Sequence, residues 1–99
     1  MRAVDDQALM KALAGEIKAR RAGLKISQEE LADRAGVNRT YIGKIELARN
    51  QPTVAVLFRI SQALEVEPPE FVSSVQRRQA KELRLMKKNK REVACSEPA

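Results

Sequence analysis

Between Ile26 and Glu46 the chain reads ISQEELADRAGVNRTYIGKIE, two short stretches of helical periodicity separated by one glycine, and few folds accommodate that pattern. Ser27 is a good N-cap, Glu30 three residues later matches a capping box, and Ile26 before the cap is placed to pack on Leu31 as a hydrophobic staple. Leu31, Ala32 and Ala35 follow as an apolar stripe at three-to-four spacing, and Gly36 supplies the left-handed residue that ends the helix. The turn must be sharp, because Asn38 caps the next helix at once. Val37 is placed to staple onto Ile42, and Tyr41, Ile42 and Ile45 fall on one side.

On a helical wheel of about 100° per residue, Arg39, Thr40, Gly43 and Lys44 fall away from that apolar side. The chemistry of such a strip suits base edges. Arginine can reach guanine O6 and N7 with two hydrogen bonds, and threonine offers a hydroxyl and a methyl that can meet thymine. Gly43 costs about 1 kcal/mol of helix propensity against alanine, a loss that a closer approach of backbone to a groove floor would offset. Any surface helix turns polar residues outward, so the weight of the reading lies on two capped helices joined this tightly. The expectation is a recognition helix docked into duplex DNA.

The rest of the chain is helical in pattern as well. Asp5 or Asp6 can cap a first helix with Leu9, Met10, Leu13 and Ile17 at helical spacing, ending near Arg21 to Lys25. Pro52 stops continuation after the third helix. Thr53 can cap a fourth, with Val54, Leu57, Ile60, Ser61 and Leu64 on its inner side. Pro68 suits the first turn of a fifth helix, which begins with the apolar Phe71, Val72 and Val75. No alternating strand pattern occurs. The fold class is all-α, a five-helix domain over residues 1–75 followed by a basic extension over residues 76–99. That extension is helix-permissive, and the expectation for it is a solvated, partly disordered tail, with a DNA-backbone arm or a helical, dimer-stabilising continuation as the sharper readings.

At 99 residues, there is room for one small domain and a tail. A domain of that size buries roughly 60% of its unfolded surface, so help from a partner subunit is expected. The net charge of +6 is unevenly placed: residues 1–26 carry +3, residues 27–72 carry −2 and residues 73–99 carry +5. The presumed reading core is therefore slightly acidic, and phosphate attraction must come from a few placed cations or from the basic ends. Cys95 is the single cysteine and histidine is absent, so no disulfide within the chain and no Cys/His zinc site can form; Cys95 reads as an incidental thiol in a reducing cytoplasm. No apolar run reaches the roughly 18 residues of a membrane span, and the first residues lack a signal-peptide centre. Without histidine, paired carboxylates or a glycine-rich phosphate loop there is no catalytic constellation, and neither a cofactor nor a small-molecule substrate is expected.

The segment from about Ile17 to Val72 resembles the Cro and phage-repressor (XRE) helix-turn-helix family, and RTYIGKIE at Arg39 to Glu46 followed by NQPTVAVLFRISQALEV is most similar to the controller proteins of restriction-modification systems. The resemblance implies a five-helix fold and a role for each matching residue. Arg39, Thr40, Gly43 and Lys44 would read bases; Gln28, Asn38, Tyr41, Arg49 and Asn50 would meet the DNA backbone. Gln28 would also buttress the recognition helix, and Arg21 with Glu46 would form a buried pair tying helix one to the end of helix three. In two places the chain departs from the family pattern, with Lys25 after helix one and Ala48 after helix three where glycine is usual. A left-handed backbone at either would be strained, so turns of a different shape are expected there.

The function expected is a sequence-specific transcription regulator that binds a palindromic operator as a homodimer, in the manner of a restriction-modification controller. The dimer contact is placed at Val66, Phe71, Val72 and Val75 on the grounds that these apolar residues stay exposed. Arg77, Arg78, Lys87 and Lys88 would hold DNA without reading it, if the extension touches DNA. Two other classes stay open: an antitoxin-type autorepressor whose extension binds a toxin, and a module whose third helix binds protein. RNA polymerase is a further candidate partner, whereas a membrane is not.

Overall fold

The computed structural model describes residues 3–96, with side chains described for residues 6–88. Five helices and no strand occur among them: α1 (Ala3–Leu24), α2 (Gln28–Ala35), α3 (Arg39–Glu46), α4 (Val54–Ala63) and α5 (Pro68–Ser96). α1 begins upstream of Asp5 and Asp6, so both lie in its first turn rather than capping it. Cys95 falls outside the residues whose side chains are described.

The helix starts follow the capping chemistry. The side-chain oxygens of Ser27, Asn38 and Thr53 accept from the backbone N–H groups of Glu30, Tyr41 and Val56 at 3.0, 2.8 and 3.2 Å. The Glu30 carboxylate does not return the bond to the cap; it pairs one turn on with Arg34 at 2.7 Å.

The helix ends share one device. After α1, α2, α3 and α4 the chain passes through a left-handed residue, respectively Lys25, Gly36, Ala48 and Glu65. Each time that residue and its successor donate back into the last turn: Lys25 to Ala22 and Ile26 to Arg21, Ala48 to Ile45 and Arg49 to Lys44, Glu65 to Gln62 and Val66 to Ser61. These are Schellman closures, which satisfy otherwise orphaned carbonyls. The turns at Lys25 and Ala48 therefore keep the left-handed shape despite lacking glycine, contrary to the expectation of altered turns. Two backbone hydrogen bonds and the burial of the following Ile26 outweigh a steric cost of about 1–2 kcal/mol per residue.

Ile17, Leu31, Ile42, Ile45, Ile60 and Phe71 are the large apolar side chains almost wholly removed from water, contributed by all five helices. Each stabilises the fold by roughly 1.5–3 kcal/mol through burial. Ser61 is equally buried and donates its hydroxyl to the Val66 carbonyl at 2.6 Å, so the polar group at the α4–α5 corner is satisfied. Val54, assigned to the inner side of α4, lies 71% exposed instead; as the first residue after the Thr53 cap it projects beyond the core that Ile60 and Leu64 enter about two and three turns later.

α5 departs most from expectation. It runs unbroken from Pro68 through Ser96, so the boundary drawn at residues 75 and 76 falls inside a helix and the extension is helical as far as it is described. Past Pro69 neither glycine nor proline occurs until Pro98, and nothing in the sequence stops the helix. α1 supplies the other half of the reason. It packs between α3 and α5, with Ala8, Ala12 and Glu16 buried at four-residue spacing, and contacts from Arg20 to Ser74 and from Arg78 to Glu16 set α1 and α5 antiparallel.

Candidate nucleic-acid interface

α3 carries the candidate surface. Ile42 and Ile45 anchor it in the core and Tyr41 packs half-buried against that core, which leaves Arg39, Thr40 and Lys44 exposed with Gly43 between them. The outward strip is thus fixed by what the opposite side buries. A Cβ added at Gly43 would meet only Gln28 Oε1, at 3.9 Å, so no contact within the subunit demands glycine.

The far end of α3 is tied down electrostatically. Arg21 Nε and Nη2 donate to Glu46 Oε2 and Oε1, both at 2.9 Å, and Arg21 Nη1 donates to the Ile26 carbonyl at 3.1 Å. Hydrogen bonding to Glu46 raises the Arg21 pKa above its usual value, against the opposing effect of burial. Gln28 Nε2 donates to the same Glu46 Oε1 at 3.0 Å. One carboxylate therefore gathers α1, the start of α2 and the end of α3, holding the angle between the paired helices.

The other residues considered for DNA contact are placed as follows. Gln28 is half-buried with its amide nitrogen engaged by Glu46, Asn38 is exposed with its side-chain oxygen engaged in capping, Arg49 is exposed and Asn50 half-buried on the turn after α3. Gln28 thus lies beside α3, its Oε1 3.9 Å from where a Cβ on Gly43 would stand, and Asn38, Arg39, Thr40 and Lys44 are exposed. The dimer residues are corrected by burial: Phe71, Val66 and Val75 belong to the subunit's own core, and Val72 alone is exposed, at 45%. Val66 follows α4, and Phe71 and Val75 lie in the first turns of α5, where they join the cluster around Ile60 and Leu64.

A helix-turn-helix family profile matches residues 17–71, spanning α1 from its middle through the start of α5. The chain belongs to the Cro/C1-type helix-turn-helix family of DNA-binding regulators. Within that family it is 33% identical over 61 residues to the control protein C.SmaI of Serratia marcescens, a match covering 62% of this chain and 73% of that one. It is also similar to the restriction-modification controller protein C.Esp1396I, solved as a tetramer with its natural 35 base-pair operator, at 29% identity and a TM-score of 0.67 over 73% of this chain and 95% of that one. The fold of the clp gene regulator ClgR from Corynebacterium glutamicum matches over 86% of this chain and 88% of that one, with a TM-score of 0.73 at 21% identity.

Sequence reasoning missed one cluster. Glu16, on α1, accepts from Arg20 Nε at 2.5 Å and from Arg78 Nε at 2.6 Å, while Arg20 and Arg77 both donate to Ser74 Oγ, at 3.2 and 3.0 Å. Burial pushes the Glu16 pKa up, but hydrogen bonds and charge from Arg78 and Arg20 outweigh it, leaving the carboxyl below its usual value. Arg78 is therefore committed to an internal ion pair. The one available signal was a lone glutamate at a helical position that the apolar stripe of α1 should occupy.

Proposed function

We propose that this chain is a sequence-specific transcription regulator of the restriction-modification controller type, a homodimer that places α3 of each subunit in successive major grooves of a palindromic operator. The outward strip of Arg39, Thr40, Gly43 and Lys44 on a helix whose other side is locked into the core carries the reading. Arg39 and Thr40 sit at the N-terminal end of the helix, the end that meets base edges in this docking mode, and Gln28, Asn38, Tyr41, Arg49 and Asn50 flank them within reach of phosphates. Similarity to a controller solved on its operator supports the same arrangement.

The subunit contact uses Val72 on α5 and Phe58 with Val54, one turn apart on α4. All three are exposed, and Val72 lines a groove of about 250 Å³ together with Leu9, Met10, Leu13 and Leu57, which a second subunit would cover. In such dimers the recognition helices stand about 34 Å apart, one helical turn of DNA.

Selection from random duplexes tests the proposal. Recovery of a two-fold related sequence is the expected result, and Arg39→Ala should then lose about 1–3 kcal/mol on it with relaxed choice at one base position per half-site. Recovery of no preferred duplex would overturn it.

A further inference from the structure

The outer face of α5 carries a pattern that base reading leaves unused. Arg77, Lys81, Arg84 and Lys88 recur at intervals of four, three and four residues, and all four are exposed. At about 100° per residue they fall within an arc of roughly 60°, forming a straight track about 16 Å long. The inner arc of the same helix bears Phe71, Val75 and Arg78, which face the core and Glu16, so the track points to solvent. No ion pair among the described residues involves any of its four cations.

The track begins at a concavity of about 390 Å³ lined by Glu16, Ser74, Arg77, Arg78 and Lys81. There two arginines, Arg20 and Arg77, converge on one hydroxyl, and Glu16 is the single carboxylate among four cations. Arg77 also donates to Ser73 Oγ at 3.1 Å, so its recorded partners are hydroxyls and no carboxylate neutralises it among the described residues. A solvated surface helix ordinarily mixes its charges; this one segregates them, with Glu82 placed toward the inner arc.

The occupant that fits is a regularly spaced line of negative charge. We propose that the Arg77–Lys81–Arg84–Lys88 track is a second DNA surface, which grips the phosphate backbone of duplex DNA without reading its sequence. It rests on the proposal above only in taking duplex DNA as the ligand. The charge distribution favours DNA over an acidic protein segment: residues 27–72, which include the base-reading helix, carry a net −2, so beyond its few placed cations the attraction for a duplex is supplied by the basic ends of the chain.

The experiment is the salt dependence of binding to a nonspecific duplex and to the selected operator, for the full chain and for the triple variant Lys81→Gln, Arg84→Gln, Lys88→Gln. Glutamine preserves helix propensity, and the charge-keeping pair Lys81→Arg with Lys88→Arg serves as control. The slope of log K against log salt should become shallower by about 2–3 on both duplexes in the triple variant, since each lost phosphate contact removes about 0.9, while the control retains the native slope. The ratio of operator to nonspecific affinity should stay the same. An unchanged slope in a triple variant with a native helical spectrum would overturn the proposal. Failure of base reading looks different: no preferred duplex is selected, yet the nonspecific slope still falls with the track.

Discussion

Arg21 and Glu46, separated by 25 positions in sequence, meet fork to fork with both nitrogen–oxygen distances at 2.9 Å. The Glu46 side chain is only 4% exposed, so its charge depends on Arg21 and on the Gln28 amide for solvation. Such a pair adds little net stability over an apolar replacement, but removing one partner strands the other. Arg21→Ala should therefore destabilise the domain by about 3 kcal/mol in urea unfolding, whereas Lys44→Ala on the exposed side of the same helix should change stability by less than about 0.5 kcal/mol. Equal effects of the two substitutions would remove Glu46 from its role as the common anchor of α1, α2 and α3.

Glu16 gives the fold a pH dependence with a definite sign. Despite burial, hydrogen bonds and charge from Arg78 and Arg20 hold its carboxyl below the ordinary glutamate value in the folded chain, so the ionised form is the one that folding favours. The resulting stabilisation is present above the unfolded pKa and is lost as pH falls through the lower folded value. Glu16→Gln should lower the melting temperature at pH 7 and cost progressively less as pH falls below about 4.3, where the glutamate of the unfolded chain begins to take up its proton ahead of the folded one. Thermal melts of both chains from pH 7 to pH 3 check this, and a constant difference across that range would contradict it.

Much of the architecture was legible because its signals are local. Ser27, Asn38 and Thr53 cap the helices they were assigned to, Gly36 ends α2, and the Ile42–Ile45 side of α3 is the buried one. What escaped was long-range or sterically unmarked. Glu16 and Arg78 lie 62 residues apart, and no local pattern pairs them. Phe71, Val66 and Val75 were placed on the surface because residue type says how apolar a side chain is and not which of two neighbouring surfaces covers it. The extension reads as a solvated tail because its apolar content is thin; its helix is tied to α1 by Arg78, and Leu83 and Met86 are half-buried along it.

Lys25, Ala48 and Glu65 carry a Cβ that disfavours a left-handed backbone, yet all three adopt φ near 60°. Replacing Lys25 by glycine should relieve the Cβ strain while the two closing hydrogen bonds remain, offset in part by the greater freedom of glycine in the unfolded chain. The expected net gain is about 0.5–1 kcal/mol for Lys25→Gly, and Gly36→Ala should lose about 1 kcal/mol for the opposite reason. Urea midpoints with unchanged slopes would measure both. A loss on Lys25→Gly would mean that the side chain, and not the backbone bonding, holds the turn.

Gly43 separates the demands of folding from those of binding. It lies mid-helix on the exposed strip, and an added methyl would find only Gln28 Oε1 at ordinary van der Waals distance. For the isolated domain, then, Gly43→Ala should be stabilising by up to about 1 kcal/mol through helix propensity alone. If α3 rests on a groove floor as proposed, the same methyl must be accommodated between helix backbone and base edges, and operator affinity should fall even as the melting temperature rises. The two quantities moving in opposite directions is the expected outcome, read by thermal melts of the free chain and by titration of the selected duplex. A rise in stability with affinity unchanged would show that the backbone of α3 stands off from the bases at this point, leaving recognition to Arg39, Thr40 and Lys44 alone.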